Sequence, residues 1–467
     1  MTIPGTFFGL NIGLSGLEAA QAAQTVTGNN IANGGTAGYT EESAVIVQGP
    51  ADGTTGSSYN GASTGLYGSG AMVNSIARSR SQFLDAEYRN AQSTSSGDSA
   101  MSGALSNVQG AFNEPSTTGI SSAITTFFTS VSNLENTPSD VGIRTTVIDS
   151  AASLAQTINT VQGNLTTTGQ GVTTNINEDM TQVNTIGQQI AGLNVQIQQD
   201  VAQNIQPNTL LDQRDLLVDN LSKLVNVTAT TAPNGGMNVA IGSTDLVVGT
   251  TASTVSLTTM QSRGDLTSGE VYGLNQAQTA ISGYQSNLNT LAATIVSSVN
   301  SVQTTGAGLD GSTNIPFFTA TTGSEASTIA VNPTLQNNPS QLAAGSLSSI
   351  VPPATTPPAS DASNLVLLEN VSTTNQSALS NQTISGFFTT MISGLGATTS
   401  DAQTNATNAA ASTTQLSNQR ATVEGVSTDN EMTNMMIYQR SYQASAQFIS
   451  IQDNMLNTLV NSIFGTT

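Results

Sequence analysis

The sequence predicts a mainly α protein: long antiparallel helices forming a terminal coiled coil, a helical bundle body, and small β elements. Three observations carry this. Thr428 to Phe464 holds no Gly or Pro and repeats apolar residues every seventh position. Phe7 to Asn33 shows a matching periodicity at the other end of the chain. Between them, several stretches keep apolar steps of three and four over many turns, the mark of amphipathic helices.

In the first helix, Leu10, Leu14, Leu17 and Ile31 share one heptad seam, and Ile12, Ala19 and Val26 form a second row. The small residues Ala19, Ala20, Ala22 and Ala23 would let another backbone approach closely. Gly28-Asn29-Asn30 weakens the helix, since Gly there costs roughly 1 kcal/mol relative to Ala. Residues 34 to 75 are rich in Gly, Ser and Thr and read as an irregular arm with one hairpin. Its strands are Val45–Val47 and Ala71–Val73, and Tyr39, Tyr59 and Tyr67 pin it.

Helix returns from Ser79 to Asn113 and again from Ile120 to Leu134, with Phe127 and Phe128 on the apolar face. From Val141 to Val201, Ile176, Val183, Ile190 and Ile197 recur by sevens, with Ile186 and Leu193 in the same stripe. Pro207 interrupts it, and Asn208 is placed to cap a new helix through Leu224. Val225 to Leu257 changes to β-branched runs divided by Asn234-Gly235-Gly236 and Gly242-Ser243, a small antiparallel unit. A helix follows from Gln276 to Gln303. Residues 304–364 read as loop, stiffened by Pro352-Pro353 and Pro357-Pro358. Two further helices are expected, Ile384–Leu395 and Ala402–Val423.

The last helix starts at Thr428, where Glu431 completes a capping box, and stops at Gly465. Met435, Tyr442, Ile449, Leu456 and Ile463 make its main row, and Tyr438 and Leu459 part of a second. Ile449 is its central knob, and Ser445 falls on a neighbouring row. An isolated amphipathic helix is marginal in water, so the two ends are expected to pair only on assembly. The domain plan is residues 1–75 with 425–467 as a terminal axial domain with its arm, and 76–304 with 365–424 as the helical body. That body carries the β unit near 225–258, and 305–364 is a loop and linker region.

Composition removes whole classes of function. A net charge of −20 with one lysine and eight arginines makes nucleic acid or an anionic membrane surface a poor partner. No run of about eighteen apolar residues exists to span a bilayer, and no basic residue precedes Arg78, so no standard cleaved signal is expected. The chain has no His and no Cys, which excludes Ser-His-Asp and Cys-His nucleophile arrangements and the usual zinc ligands. Without His, no protonation switch is expected between about pH 6 and 8. The 29 carboxylates are scattered and read as a solvated surface. Asp212 and Asp215 form the one arrangement resembling an acid–base pair of a glycoside hydrolase. Carboxylates one turn apart beside Arg214 are far more often a helix-surface ion pair. The reading is non-enzymatic, with no catalytic residue, cofactor or metal.

Several motifs point to a family. Gly13-Leu14-Ser15-Gly16-Leu17, Gly28-Asn29-Asn30-Ile31-Ala32-Asn33 and Thr36-Ala37-Gly38-Tyr39 resemble the amino-terminal signature of flagellar rod, hook and hook-associated axial proteins. Glu431-Met432 and Tyr438-Gln439-Arg440-Ser441-Tyr442-Gln443-Ala444 resemble their carboxy-terminal signature. Pro207-Asn208-Thr209-Leu210-Leu211-Asp212-Gln213-Arg214-Asp215 is similar to the segment typical of the hook-associated protein 1 family. Ile190–Asn194, Phe317-Phe318, Val331-Asn332-Pro333 and Arg420 through Gly425-Val426 fit the same family in order.

The resemblance implies a secreted structural protein of the bacterial flagellum at the hook–filament junction, exported without a cleaved signal. It implies assembly with copies of itself in a helical layer, hook protein below, a second hook-associated junction protein above, and an export chaperone. The assembly seam expected from the heptads is Leu10, Leu14, Leu17, Ile31, Met435, Tyr438, Tyr442, Ile449, Leu456, Leu459 and Ile463. Family-motif residues are Asn29, Asn30, Ala32, Asn33, Gly38, Tyr39, Asn208, Leu211, Asp212, Arg214 and Asp215. The alternatives are a rod or hook subunit, or a secreted adhesin with the same Ser/Thr/Asn-rich composition. Two departures stand out. The family commonly has a basic residue soon after Gly-Tyr, where this chain has Thr40-Glu41-Glu42. The chain is also short, so an outer β domain near residues 346–360 is reduced or absent.

Overall fold

Apolar steps of three and four dominate this chain, and helices dominate its fold. The computed structural model describes residues 7–50, 68–351 and 354–464. Readings placed on Tyr59, Tyr67, Pro352, Pro353 and Gly465, and on the side chain of Ile463, lie outside the described residues. Contact density divides the chain into two units. The first comprises residues 1–92, 182–266 and 410–467, and the second 93–181 and 267–409. Three of the four boundaries fall within long helices, and the one at 266/267 falls between helices.

The first unit begins with α1 (Phe8–Asn33) and the hairpin β1 (Glu42–Gln48) and β2 (Ala71–Arg78). The hairpin is antiparallel, and a bulge leaves Asn74 without a partner between the pairs Val45–Ser75 and Ile46–Val73. It then takes in the start of α2 (Gln82–Phe112), the end of α4 (Val141–Ala202) and α5 (Asn208–Leu224). A four-stranded antiparallel meander follows: β3 (Thr228–Thr231), β4 (Met237–Ile241), β5 (Thr244–Val248) and β6 (Thr251–Ala252). Val239, Ile241, Leu246 and Val247 of the sheet are buried, as are Ile186, Ile190 and Ile197 of α4. The short α6 (Leu257–Arg263) is capped by Ser256, whose hydroxyl accepts from Thr259 N, and ends on left-handed Gly264. The end of α11 (Ile384–Glu424) and α12 (Thr428–Phe464) complete this unit.

The second unit holds the rest of α2 and most of α4, with α3 (Ile120–Asn136) and α7 (Glu270–Gln303). Short pieces follow: β7 (Gly306–Ala307), β8 (Phe318–Thr319), α8 (Glu325–Thr328), β9 (Ala330–Val331), α9 (Pro333–Asn337) and β10 (Gly345–Ser346). Then come α10 (Ser363–Thr373) and most of α11. Its core is aromatic. Phe127, Phe128, Phe317 and Phe318 stack with centroid separations of 4.9–6.0 Å, and Phe112 meets Tyr284 edge-on at 6.1 Å. Phe317-Phe318 therefore anchors a stretch that composition alone presents as loop. Gly97 and Gly273 mark a close crossing of α2 and α7, because a methyl on Gly97 would meet the Gly269 carbonyl at 2.9 Å.

Several local readings need correction. The helices expected at Ile384–Leu395 and Ala402–Val423 are one continuous α11, since the six residues between them, Gly396 to Asp401, include no proline and none breaks a helix outright. Asn208 is the first residue of α5 and not its cap; its amide donates to Ile76 O at 3.0 Å. The start of α12 is capped by Ser427, whose Oγ accepts from Asn430 N, and not by Thr428. Glu431 is freed for another partner.

Candidate assembly site

The two chain ends meet in an antiparallel pair within the first unit, α1 against α12. Along α1 the close-approach positions are Gly9, Gly13, Gly16 and, at the far end, Asn30. A methyl built on Gly9 would sit 3.0 Å from Gln452, on Gly13 2.7 Å from Ile449, and on Gly16 2.9 Å from Ser445. Ala20, Ala23 and Thr27 continue that spacing and are buried. Steps of four and three thus run through 9, 13, 16, 20, 23, 27 and 30. They form a heptad seam of small residues into which the larger α12 side chains insert.

This corrects the expected seam in two respects. The leucine row of α1 is not its closest face to α12: Leu14 is 47% exposed, while Leu10, Leu17 and Ile31 are half-buried. Ser445 is not off the seam, because it faces Gly16. On α12, Met435, Tyr438, Ile449 and Leu456 are half-buried, and Tyr442 and Leu459 lie more open. The pairing is made within one chain.

Asn30 locks the far end of the pair. Its Nδ2 donates to Glu42 O at 2.7 Å and to Glu431 Oε2 at 3.1 Å. Its Oδ1 accepts from Tyr39 Oη at 2.8 Å and from Glu42 N at 3.0 Å. All four hydrogen-bonding positions of the carboxamide are used, joining α1, the turn before β1, β1 and α12. The turn itself needs Gly38, at φ +81°, where a side chain would also press on Leu216. Burial, with Glu42 and Asp212 nearby, pushes the Tyr39 phenol well above its ordinary range, so it stays a neutral donor. Burial and then Glu431 raise the Glu41 carboxyl. Asn33 donates back to Asn29, and Ala32 is exposed.

Beneath this lies a buried ion network. Arg78 Nη2 is 2.6 Å from Asp212 and 2.7 Å from Asp215. Arg80 grips Asp85 with two nitrogens, at 2.6 and 3.0 Å, and reaches Asp215 at 3.2 Å. Arg89 pairs with Asp219 at 2.7 Å. Arg420 meets Asp219 at 2.7 Å, Asp85 at 2.9 Å and Glu424 at 2.9 Å, with its guanidinium 4.8 Å over the Tyr88 ring. Five carboxylates thus face four guanidinium groups, with side chains only 6–15% exposed. Asp212 and Asp215 are therefore not a helix-surface ion pair, and these carboxylates are not solvated surface. Burial would raise the Asp215 carboxyl, but Arg80 and Arg78 hold it below its ordinary value. Burial raises Asp212 despite Arg78.

Arg214 serves a separate clamp. Its Nη1 donates to Asn194 Oδ1 at 3.0 Å and Gly235 O at 2.6 Å, while Asn194 Nδ2 donates to Met237 O and Gly249 O. Leu211 is half-buried on the same helix. Sequence reasoning placed Asp219 beside Asp212 and Asp215 but missed Arg78, Arg80, Arg89, Asp85 and Glu424. A signal existed: three of only eight arginines fall between residues 78 and 89.

Among the described residues one face of α12 is largely open, although its Phe448 reaches Gly13 of α1. Ile437, Ser441, Ala444, Phe448, Ile451, Met455, Thr458 and Ser462 step by four and three, a second heptad row beside the first. Ile437, Ile451 and Met455 are each more than half exposed. Ile451, Met455 and Leu459 line a shallow cleft of about 540 Å³. Among the described residues, no group of three or more Asp or Glu is placed to hold a metal ion, and no helix is long and apolar enough to cross a membrane.

Paired terminal helices bracketing a large insert define a class, the axial proteins of the bacterial flagellum. Residues 10–40 match the family described as "Flagella basal body rod protein", and residues 419–462 match "Flagellar basal body rod FlgEFG protein C-terminal". Residues 105–318 match "Flagellar hook-associated protein FlgK helical domain". The chain belongs to the hook-associated protein 1 (FlgK) family. It is 28% identical to flagellar hook-associated protein 1 of Bacillus subtilis over 98% of both chains. It is 30% identical to that of Salmonella typhimurium, over 52% of this chain and 43% of that one. The solved flagellar hook junction protein FlgK of Burkholderia pseudomallei shares the fold, with a TM-score of 0.61 at 16% identity, over 72% of this chain and all of that one.

Proposed function

We propose that this chain is a structural, non-catalytic subunit that joins the flagellar hook to the filament, adapting one tube to the other. The observation that carries this reading is the second heptad row of α12, from Ile437 to Ser462, left open on a helix whose first row is taken by α1. Copies pack through that row in a helical layer, since a heterologous contact that does not close builds a tube. Hook protein lies below, a second hook-associated junction protein above, and an export chaperone accompanies the chain before it leaves uncleaved through the flagellar export channel. The open row of α12 and the exposed Leu14 of α1 are the surfaces that meet neighbours.

Membership of the hook-associated family and the helical insert at residues 105–318 disfavour a rod or hook subunit. A secreted adhesin would not need matched heptads at both ends. The absence of His and Cys, with Asp212 and Asp215 engaged by Arg78, supports a non-catalytic role. Deleting the gene tests the proposal. Hooks without filaments, with filament protein released into the medium, is the expected result. Cells with normal filaments would refute it.

A further inference from the structure

The helix α1 has an outer face that α12 leaves open. Phe7, Asn11, Leu14, Glu18, Gln21 and Thr25 step by four and three, and all are exposed. The 3.6-residue period turns this row away from Gly9, Gly13 and Gly16, the positions that meet α12. On α12, the open row from Ile437 to Ser462 lies one residue, or about 100°, round the helix from Ile449 and Ser445. Phe7 and Leu14 are the exposed apolar side chains of the first row, and Ile437, Ile451 and Met455 are the most exposed of the second. Two unlike heptad faces therefore stand open on one helix pair.

Charge tells the two faces apart. Glu18 is the one charged side chain of α1, and Arg440 is the one cation of α12. Both are exposed, and among the described residues neither has a hydrogen bond or ion pair. Every other Lys or Arg is engaged. Four of the eight arginines are held in the buried ion network. Arg144 and Arg214 are buried and bonded to backbone carbonyls. Lys223 bonds Asn220, and Arg263 contacts Thr244. Arg440 borders the open row at Ile437 and Ala444, while Glu18 stands one turn from Leu14 in the outer row of α1. A guanidinium presents its N–H donors in a planar fork that matches a carboxylate.

We propose that the open row of α12 seats on the outer row of α1 in the next copy, with Arg440 of one chain paired to Glu18 of its neighbour. The contact rests on the assembly reading and gives it a register. Copies in one helical layer share an orientation, so α12 of one meets α1 of the next antiparallel, as it meets α1 of its own chain. With Glu18 opposite Arg440, Leu14 falls opposite the small Ala444 and Phe7 opposite Ile451, so apolar side chains face each other. A slip of one heptad either way sets Arg440 against Asn11 or Thr25 and leaves Glu18 without a cation. Because the two faces differ, the contact is heterologous and repeats from copy to copy instead of closing on a dimer. Complementary charge of this kind sets register and excludes wrong pairings more than it adds affinity. It counts for more in a chain of net charge −20, whose copies otherwise repel.

The test is a charge exchange in cells, with E18R, R440E and the double variant E18R/R440E. Each single reversal sets like charges opposite each other and should lower the number of filaments per cell by about tenfold. The double variant should restore most of the loss. Circular dichroism of each purified chain checks that helicity is unchanged. Ile451→Asp is run beside them. If I451D leaves hooks bare while both single reversals carry normal filaments, assembly through α12 stands and the Glu18–Arg440 pair is refuted. Loss with only one reversal, or no recovery in the double variant, also refutes the pair, because the residue concerned then answers to another group. Normal filaments on I451D cells would remove the open row itself, and the proposal with it. An independent arm exploits the absence of native cysteine. Asn11 and Gln447 are exposed and stand one heptad from Glu18 and Arg440, so the same register sets them opposite each other. N11C/Q447C flagella treated with a short bismaleimide should yield a ladder of linked copies. Linkage confined within single chains, or no linkage in otherwise normal flagella, would overturn the proposal.

Discussion

Arg420 shows how much one side chain organises within the first unit. It contacts Asp85, Asp219 and Glu424 and covers Tyr88. Removing one partner of a buried pair leaves the others charged and unmatched, at about 3–5 kcal/mol. Arg420→Ala should lower stability by that order in urea unfolding, whereas a change at exposed Lys223 should not. Asp179 shows the opposite case. Burial, with Glu270 and Glu178 nearby, raises its carboxyl to about 6, and its Oδ2 has no partner. A chain without histidine therefore still holds a carboxyl lifted well above the ordinary carboxylate range. The folded state prefers the neutral acid, so the penalty is absent below the ordinary carboxylate value near 4 and complete above 6. Asp179→Asn should raise the melting temperature at pH 7.5 and leave it unchanged near pH 4. The gain should be about 1 kcal/mol, since the group is half exposed. An equal effect at both pH values would contradict this. Neither role was legible in the sequence: Arg420 reads as a family residue and Asp179 as one of many scattered acids, because their partners are set by tertiary contact.

At the scale of elements, α1 and α12 depend on each other unequally. α12 is free of Gly and Pro, while α1 carries Gly9, Gly13, Gly16 and Gly28, each costing about 1 kcal/mol of helix propensity. What glycine loses in propensity it returns as close approach to Ile449 and Ser445. Gly13→Ala should overpack the pair by about 1–3 kcal/mol and speed amide exchange in α1. Adding Ile449→Ala, which opens room at the same spot, should recover much of that loss; simple additivity would show the two are not in contact. Here the sequence was partly legible. Both helices and their antiparallel partnership follow from heptads and the absence of breakers. The face did not follow, because leucine rows draw the eye and glycines score as defects. The continuous α11 was hidden for a related reason: Gly394, Gly396, Thr398 and Thr399 weaken helix propensity, and packing at Met391, Leu395 and Ala402 overrides it.

For the whole molecule, function resides in what the folded chain leaves unsatisfied. One α12 row is occupied by α1 and the parallel row is open, so a single helix serves both the fold and the contact with neighbours. Its heptads were visible from the sequence, but which row was spent internally required the structure. That division also changes the meaning of Ile449, which faces Gly13 of its own chain and so reports on the monomer as much as on assembly. Ile451 is the cleaner probe, being more than half exposed. An aspartate there forfeits up to about 2–3 kcal/mol of burial at each contact and brings a carboxylate toward an apolar groove. The decisive measurement is electron microscopy of cells carrying Ile451→Asp, beside circular dichroism of the purified variant. The account predicts an exported chain of unchanged helicity and bare hooks. Full-length filaments on those hooks would show that the open row of α12 is not the assembly surface.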